Sequence, residues 1–238
     1  MYRIAVFAAL AAGSLPASAQ VSFSNGGVIA SYEETYINFL GTDLLWNLSS
    51  FEVFGIFDVG SSFEIQASLL YENRRFQFFD DTDNNGWGGE IYALYRIADH
   101  SRLGAFYSRA FQWDANFKEE NYGLVYEYQR GPWAVELVAT HTPDQVVEFI
   151  SASVLVEYEW RDVKLSAFHQ QMIGDLAGLR RTGGRISYAT ELITDLEVYL
   201  GYSAITGSLN PGVNEFWEIG FEIPFGAGTA RPIRGPRY

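Results

Sequence analysis

Apolar and polar residues alternate along most of the chain after residue 20, in segments of roughly ten residues. Within 215–225, Trp217 and Phe221 fall on one face of an extended chain, while Glu218 and Glu222 fall on the other. Successive side chains of a β-strand point to opposite faces, so a period of two predicts strands. We expect about twelve strands, near 25–35, 50–59, 62–73, 89–98, 101–113, 120–130, 132–142, 149–160, 163–173, 181–192, 195–205 and 214–225.

The connections between these segments alternate between short and long. The short ones are Gly60-Ser61, Asp99-His100, Gly131, Arg161-Asp162 and Ile193-Thr194. The long ones lie near 36–49, 74–88, 114–119, 143–148, 174–180 and 206–213. Transmembrane barrels have short periplasmic turns and longer external loops, and their strands need about 9–11 residues to cross the bilayer. The sequence therefore predicts an all-β fold, an antiparallel up-and-down transmembrane barrel over residues 20–225. The alternative is a soluble β-sandwich with an aromatic core.

Residues 1–19 have the three parts of a cleavable signal peptide. Arg3 supplies the positive charge, residues 4–15 are mainly apolar, and Ala17-Ser18-Ala19 forms a small-x-small cleavage site. The apolar stretch is shorter than the roughly 20 residues of a spanning helix. We therefore expect export to the periplasm and cleavage after Ala19.

Aromatic side chains gather near the ends of the predicted strands. Tyr, Phe and Trp together make up 16% of the chain. Membrane–water interfaces favour aromatic rings, and two such girdles are typical of membrane barrels. The predicted girdle residues are Phe51, Phe63, Tyr71, Trp113, Trp133, Trp160, Trp217 and Phe225.

The chain resembles small Gram-negative outer-membrane barrels of the porin-like type. The resemblance rests on the signal peptide, the alternating segments, the alternation of short and long connections and the aromatic final strand 216–225. The resemblance implies an outer-membrane location and contact with outer-membrane lipid and lipopolysaccharide. It also implies recognition of the last strand by the barrel-assembly machinery, and it is compatible with a homo-oligomer. The chain departs from the family by continuing past Phe225 and by placing Pro224, which has no N–H to donate, in that strand.

Composition removes several classes of function. The chain has no Cys, which excludes disulfide frameworks, thiolate nucleophiles and Cys-ligated metal sites. Its net charge is −13, whereas a nucleic-acid-binding protein shows a basic surface, so we expect no nucleic acid partner. We find no phosphate loop and no dinucleotide fingerprint, and we predict neither a cofactor nor an enzyme.

Charged residues of the predicted strands fall mostly on the face opposite to the apolar one, and therefore point inward. The inward acids are Glu52, Asp58, Glu64, Glu90, Glu127, Glu136, Glu157, Glu159, Glu191, Glu197, Glu218 and Glu222. The inward bases are Arg96, Arg102, Lys164 and Arg185. A water-filled lumen of this kind is cation-selective. The sequence predicts passive diffusion of small hydrophilic, preferably cationic solutes, with Phe54, Tyr92, Phe106 and Tyr199 narrowing the lumen; a closed, solvated interior is the alternative.

The segment 226–238 contains Arg231, Arg234 and Arg237 and no acid. We expect a solvated basic tail in the periplasm. The alternative is a segment that folds back into the acidic interior as a plug.

Two sets of residues suggest other chemistry. Asp81, Asp83 and Asn85 match the first half of a calcium loop, but Tyr92 stands where the bidentate Glu belongs, so a polar loop tip is the preferred interpretation. His141 and His169 lie near outer strand ends, where outer-membrane lipid hydrolases place their catalytic His, but the His-x-Ser pairing is absent. A lipid hydrolase and a structural or adhesive barrel acting through its loops are therefore the alternatives to a channel.

Overall fold

The computed structural model describes residues 20–39, 42–76, 82–112, 117–143, 148–174, 178–190, 196–207, 210–226 and 232–233. The predicted signal peptide, Asp81, Trp113 and Glu191 lie outside the described residues. No helix long and apolar enough to cross a membrane occurs among the described residues.

The described residues form twelve β-strands that close into one barrel. The strands are β1 (Val21–Phe39), β2 (Thr42–Val59), β3 (Phe63–Phe76), β4 (Thr82–Ala98), β5 (Ser101–Gln112), β6 (Phe117–Arg130), β7 (Trp133–Pro143), β8 (Glu148–Trp160), β9 (Val163–Gly174), β10 (Arg180–Thr190), β11 (Leu196–Gly207) and β12 (Asn210–Gly226). Each strand pairs with its neighbours in sequence, and β1 pairs with β12. The predicted antiparallel up-and-down barrel is confirmed.

The seam between β1 and β12 runs antiparallel from the pair Asn25–Gly226 to the pair Tyr36–Glu215. Pro224 lies within β12 opposite Gly27. Because the seam is paired, neither terminal strand offers an open edge to another chain.

The strands are longer than predicted, and the predicted lengths of the outer loops are wrong. β1 has 19 residues and β2 has 18, and most of the predicted loops 36–49 and 74–88 are strand. β4 begins at Thr82, and Asp83 pairs with Arg75 of β3. The alternation fades there because a strand that stands clear of the lipid needs no apolar face, although its backbone still pairs.

Large apolar side chains cover the outside of the barrel. Aromatic rings on neighbouring strands meet in pairs at both ends of this apolar surface. Centroids lie 5.0 Å apart for Phe63 and Tyr95, and 4.6 Å apart for Trp133 and Tyr158, near the short turns. At the other end the distance is 4.9 Å both for Tyr71 with Trp87 and for Tyr202 with Trp217.

The distance between the two ends fits a membrane. Phe63 and Tyr71 lie on one strand, eight positions apart. At about 3.3 Å per residue and a tilt of about 40°, they are separated by about 20 Å along the barrel axis, close to the apolar band of about 25 Å in outer-membrane barrels. Phe51, Trp160 and Phe225 are also exposed on the outer surface.

Candidate functional site

The inner face of the barrel is the candidate functional site. In β7, Ala134, Glu136 and Val138 are buried while Trp133 and Leu137 are exposed, so alternate residues point inward. We call the half of the interior next to the short turns the periplasmic half, and the half at the other strand ends the external half. This orientation follows from the short periplasmic turns of outer-membrane barrels.

The predicted lumen residues differ in how far they are covered. Those that are buried are Glu52, Glu64, Arg102, Glu127, Glu136, Glu157 and Glu222. Those that are half-buried are Asp58, Glu90, Lys164, Arg185, Glu197 and Glu218. Arg96 and Glu159 are exposed, and both lie close to the short turns.

A charged network crosses the periplasmic half of the interior. Arg102 of β5 binds Glu64 of β3 through one guanidinium nitrogen, and its Nε donates to Glu127 of β6 over 2.5 Å. Arg96 of β4 pairs with Asp58 of β2 over 2.5 Å and reaches Glu64 over 3.5 Å. Glu64, whose side chain is 1% exposed, thus has two arginines as partners. Buried charges need such partners, because an unpaired ion is costly to desolvate.

Apolar side chains fill the space beside this network. Tyr92 and Leu94 of β4, Val125 of β6 and Val138 of β7 form a buried cluster together with Ile233. Phe106 packs against this cluster, and its ring stacks on Tyr92 with centroids 5.2 Å apart. A second buried cluster consists of Ile29, Phe54, Ile56 and Tyr199. The periplasmic half is therefore closely packed next to β3–β6.

Residue Ile233 comes from the segment that follows the last strand. Its side chain is 2% exposed. Its backbone N–H donates to Oε1 of Gln66 over 2.8 Å, and Nε2 of Gln66 donates to its carbonyl over 3.1 Å. The expectation of a solvated tail does not hold for this residue, because apolar inward residues of the wall are available to cover it.

A cavity lies along the inner wall, mostly in the external half, and reaches Glu136, Glu157 and Ser166 nearer the short turns. The cavity volume is about 160 Å³. Two ion pairs line it: Arg181 with Glu33 over 2.7 Å, and Arg185 with Glu218 over 2.8 Å. Glu72 also lines the cavity and pairs with Arg74.

Both cavity arginines lie over aromatic rings. The guanidinium carbon of Arg185 is 4.0 Å from the ring centroid of Tyr199, and that of Arg181 is 5.0 Å from the centroid of Phe216. Such contacts hold a guanidinium in place without removing its charge. The arginines are therefore held against the wall of the cavity.

Gln170 adds an amide to the cavity wall. Its side chain is fully buried, and neither its amide nitrogen nor its amide oxygen has a hydrogen-bond partner in the described structure. A buried amide that lacks partners costs free energy unless water or a bound group supplies them. Gln170 thus places an unpaired amide directly behind the cavity surface.

Inward glycines give the aromatic rings their positions. A Cβ added at Gly27 would lie 2.6 Å from the ring of Phe54, and one added at Gly123 would lie 2.7 Å from the ring of Phe106. Each ring therefore lies flat over a glycine of the neighbouring part of the wall. This lets large rings fit inside a twelve-stranded barrel.

Sequence reasoning missed five charged residues of the inner wall, Glu33, Glu72, Arg74, Glu119 and Arg181, of which Glu119 fell in a predicted loop but lies in β6. Glu33, Glu72 and Arg181 lie in predicted strands on the same alternate positions as the inward set, so counting along each strand to its outer end would have found them. Arg74 fell in a predicted loop, although the structure places it in β3. Glu72 and Arg74 pair with each other along β3, whereas Glu33 and Arg181 pair between strands that are distant in sequence and could not be matched from it.

The two candidate histidines lie on the outer surface near the external girdle. His141 Nδ1 is 2.7 Å from the hydroxyl of Tyr122, and Nε2 is 2.9 Å from Oε1 of Glu148. His169 Nδ1 is 2.7 Å from the hydroxyl of Thr182. These contacts tie neighbouring strands together where the barrel leaves the lipid.

The candidate calcium residues lie largely within a strand. Thr82–Gly86 belongs to β4, so the expected loop tip is not there. Asn85 Oδ1 accepts hydrogen bonds from Tyr71 over 2.9 Å and from Asn73 over 2.6 Å, which uses the oxygen that was the candidate ligand. In the part of the chain that the structure describes, no group of three or more His, Asp or Glu is placed to hold a metal ion.

Comparisons with known proteins identify the fold. No protein-family model matches the chain, and no curated protein matches it. Among solved structures, the KdgM porin is 11% identical with a TM-score of 0.57, covering 84% of this chain and 99% of that one. A KdgM structure in complex with disordered oligogalacturonate is 8% identical with a TM-score of 0.58, covering 83% of this chain and 99% of that one.

A COG4313 outer membrane channel from Pseudomonas putida F1 is 12% identical with a TM-score of 0.67, covering 88% of this chain and 99% of that one. The translocator domain of the autotransporter NalP from Neisseria meningitidis is 13% identical with a TM-score of 0.52, covering 94% and 96%. At these identities the likeness concerns the fold. The predicted resemblance to porin-like outer-membrane barrels is confirmed at that level, in agreement with a location in the outer membrane.

Proposed function

We propose that the protein is an outer-membrane channel for passive diffusion of small hydrophilic solutes, with a preference for cations. The observation that carries the proposal is the charge of the inner wall around a cavity. Within the described residues, inward carboxylates outnumber inward cationic groups. The acids are Glu33, Glu52, Asp58, Glu64, Glu72, Glu90, Glu119, Glu127, Glu136, Glu157, Glu159, Glu197, Glu218 and Glu222. The bases are Arg74, Arg96, Arg102, Lys164, Arg181 and Arg185.

The surplus of carboxylates favours cations for an electrostatic reason. Each of the six bases makes an ion pair with one or two of the acids. Pairing therefore neutralises the bases and leaves a net negative wall. Charged walls of low dielectric concentrate the oppositely charged solute, and rings of Asp and Glu are how cation channels select.

The fold supports a channel, but the solute bound by a similar protein is not the solute that we expect for this one. The oligogalacturonate in one KdgM structure is a chain of sugar acids, and therefore an anion. A wall rich in carboxylates repels such a molecule. We infer that this barrel serves solutes of the opposite or no charge, without turnover and without a cofactor.

Planar-bilayer recording of refolded residues 20–238 in a KCl gradient tests the proposal. We expect discrete conductance steps and a reversal potential of the sign for potassium selectivity. The variant Glu33→Gln/Glu72→Gln/Glu218→Gln should move the reversal potential toward chloride, because it removes three cavity carboxylates and leaves their arginines. The matched control Glu34→Gln/Glu215→Gln changes exposed or outward acids of β1 and β12 and should leave it unchanged. Anion selectivity of the parent protein would overturn the cation preference.

A surface lipid hydrolase is the second candidate. The observation that favours it is the row of hydroxyl, imidazole and carboxylate formed by Tyr122, His141 and Glu148 at the external girdle. A phenol is an unusual nucleophile, and we expect no hydrolysis. Release of fatty acid from phospholipid or lipopolysaccharide by the parent protein, lost in His141→Ala, would establish the enzyme instead. A barrel that neither conducts nor hydrolyses would point to a structural or adhesive role.

A further inference from the structure

One row of inward residues crosses six neighbouring strands along the cavity wall. Each member of the row is the register partner of the next, so successive backbones lie about 4.8 Å apart. In order from β1 through β12, β11, β10 and β9 to β8, the members are Glu33, Glu218, Gly201, Arg185, Ser166 and Glu157. All of them except Gly201 line the cavity. We call this set the polar row.

The polar row descends from the external half of the interior into the periplasmic half. Its upper end lies at the external girdle, where Glu218 follows Trp217 on β12 and pairs with Glu33. Its lower end, Glu157, lies three residues before Trp160, next to a short turn. Paired residues are aligned perpendicular to the strands, so a strand tilt of about 40° makes the row wind down by about 15 Å over its five steps. The row therefore follows the direction that a solute takes through the barrel.

Gly201 lets the charged members on its two sides meet. Because Gly201 has no side chain, Arg185 reaches across it to Glu218 over 2.8 Å. In the part of the chain that the structure describes, Nη2 is the only nitrogen of the Arg185 guanidinium that makes a hydrogen bond. The N–H groups of Nε and Nη1 are therefore available to an acceptor in the cavity.

Two further members of the row have unused hydrogen-bonding capacity. Among the described residues, the hydroxyl of Ser166 has no hydrogen-bond partner, and a hydroxyl can both donate and accept. Glu33 accepts from Arg181 through Oε2, while its Oε1 accepts no hydrogen bond from any described residue. The row thus offers donors at Arg185, an acceptor at Glu33 and both functions at Ser166.

The charges along the row favour a neutral ligand. An anion held by Arg185 would face the carboxylates of Glu218 and Glu157, and a cation held by those carboxylates would face the guanidinium. A neutral molecule with several hydroxyls bonds both kinds of group without repulsion, and the ion pair of Arg185 with Glu218 stays intact. Hydrogen bonds to charged groups are the stronger ones, which compensates such a molecule for the water that it leaves.

We propose that the polar row is a binding track for small neutral polyhydroxylated solutes, the class of sugars and polyols. Such a solute exchanges water for hydrogen bonds with Arg185, Ser166 and the carboxylates, and it moves from one member of the row to the next. The inference rests on the proposed channel function and adds a solute class to it. The net charge of the whole wall sets the selectivity among ions, and the row retains molecules that carry hydroxyls.

Blockade of the ion current by added solute tests the track. In planar bilayers, glucose should interrupt the potassium current of the parent channel, and the block should saturate with glucose concentration. A polyethylene glycol of similar hydrodynamic size has ether oxygens but few hydroxyls. It should lower the current in proportion to its concentration, without saturation.

Point variants of the row locate the block. Arg185→Met keeps a long side chain without its donors and should raise the glucose concentration for half-block by about tenfold, because a hydrogen bond to a charged group is lost. Ser166→Ala should raise it by about threefold. The matched control is Ser108→Ala, which changes a buried serine of β5 that does not line the cavity, and it should leave the half-block concentration unchanged.

The outcomes separate the track from the channel. Equal behaviour of glucose and polyethylene glycol, or a glucose block that neither Arg185→Met nor Ser166→Ala weakens, would overturn the track, while potassium selectivity of the same channels would leave the channel proposal standing. Stronger block by cationic spermidine or by zwitterionic glycine than by glucose would overturn the neutral solute class.

Silence from barrels shown to be folded by heat-modifiable migration would overturn the channel. Equilibrium dialysis of labelled glucose against the refolded protein then decides the track by itself. Saturable binding that Arg185→Met weakens would support the track, and absence of binding would overturn it.

Discussion

The two halves of the interior use the same kinds of residue in different surroundings. In the periplasmic half, Arg102 lies between Glu64 and Glu127 with all three side chains at most 10% exposed. In the external half, Arg185 and Glu218 pair over 2.8 Å with side chains 26% and 22% exposed, beside a cavity. The first ion pair stands in a packed, dry region and the second in a hydrated one. The comparison shows that an arginine–glutamate pair can be a structural element at one level of a barrel and a selectivity element at another.

The largest effect is expected from breaking the dry network. Arg102→Ala leaves Glu64 and Glu127 buried without this partner, and losing one member of a buried ion pair costs about 3–5 kcal/mol. The free energy of unfolding, measured by urea titration of barrels refolded in lipid vesicles, should fall by that amount. The triple variant Arg102→Leu/Glu64→Leu/Glu127→Leu should recover much of the loss, because it removes the charges together. A small loss for Arg102→Ala would mean that water reaches this level of the barrel.

A smaller effect is expected from adding one methyl group at each of two inner-wall glycines, one packed against a ring and one beside the cavity. In Gly123→Ala the new Cβ would meet the ring of Phe106 and the carbonyl of Ala139, and overpacking of this kind costs about 1–3 kcal/mol. In the matched variant Gly201→Ala the nearest atom is Oε2 of Glu218 at 3.1 Å, the far end of a flexible side chain. Urea titration should therefore separate the two variants. Equal losses would contradict the difference in packing between these two sites.

The smallest effect on stability is expected from the hydrated pair. Arg185→Gln removes an ion pair beside the cavity, where water screens the charges, and it should change the free energy of unfolding by less than about 1 kcal/mol. The same variant leaves the charge of Glu218 in the cavity and should shift the reversal potential further toward potassium. A large loss of stability with no shift in reversal potential would show that this pair is structural, like Arg102.

The barrel could be predicted from the sequence because contact with lipid on one face makes apolar and polar residues alternate with a period of two, as in 215–225. The sequence did not predict where the strands end. Asp83 and Asn85 look like a loop tip, since nothing beyond the lipid requires an apolar face, yet their backbone is part of β4. Parity along the strands assigns faces, but it says nothing about which charges meet, because Arg102 and Glu64 lie on strands that are not neighbours.

The segment after Phe225 was the hardest to interpret from its residues. Three arginines and several glycines and prolines describe a solvated tail, and the one bulky aliphatic side chain among them, Ile233, is an isolated signal. Its partners come from β3, β4, β6 and β7, which are distant in sequence. Only the closed barrel brings them together around it.

The paired strands that continue above the external girdle determine how strongly the electric field of the lipid headgroups acts on the channel entrance. β4 begins five residues before Trp87, and at about 3.3 Å per residue and a tilt of about 40° this amounts to about 13 Å of wall above the interface. At physiological ionic strength the field of a charged surface decays over about 8 Å. The mouth therefore stands outside most of the field of the lipid headgroups. Capture of a charged solute should follow the wall's own carboxylates and the bulk salt, and depend little on the charge of the surrounding lipid.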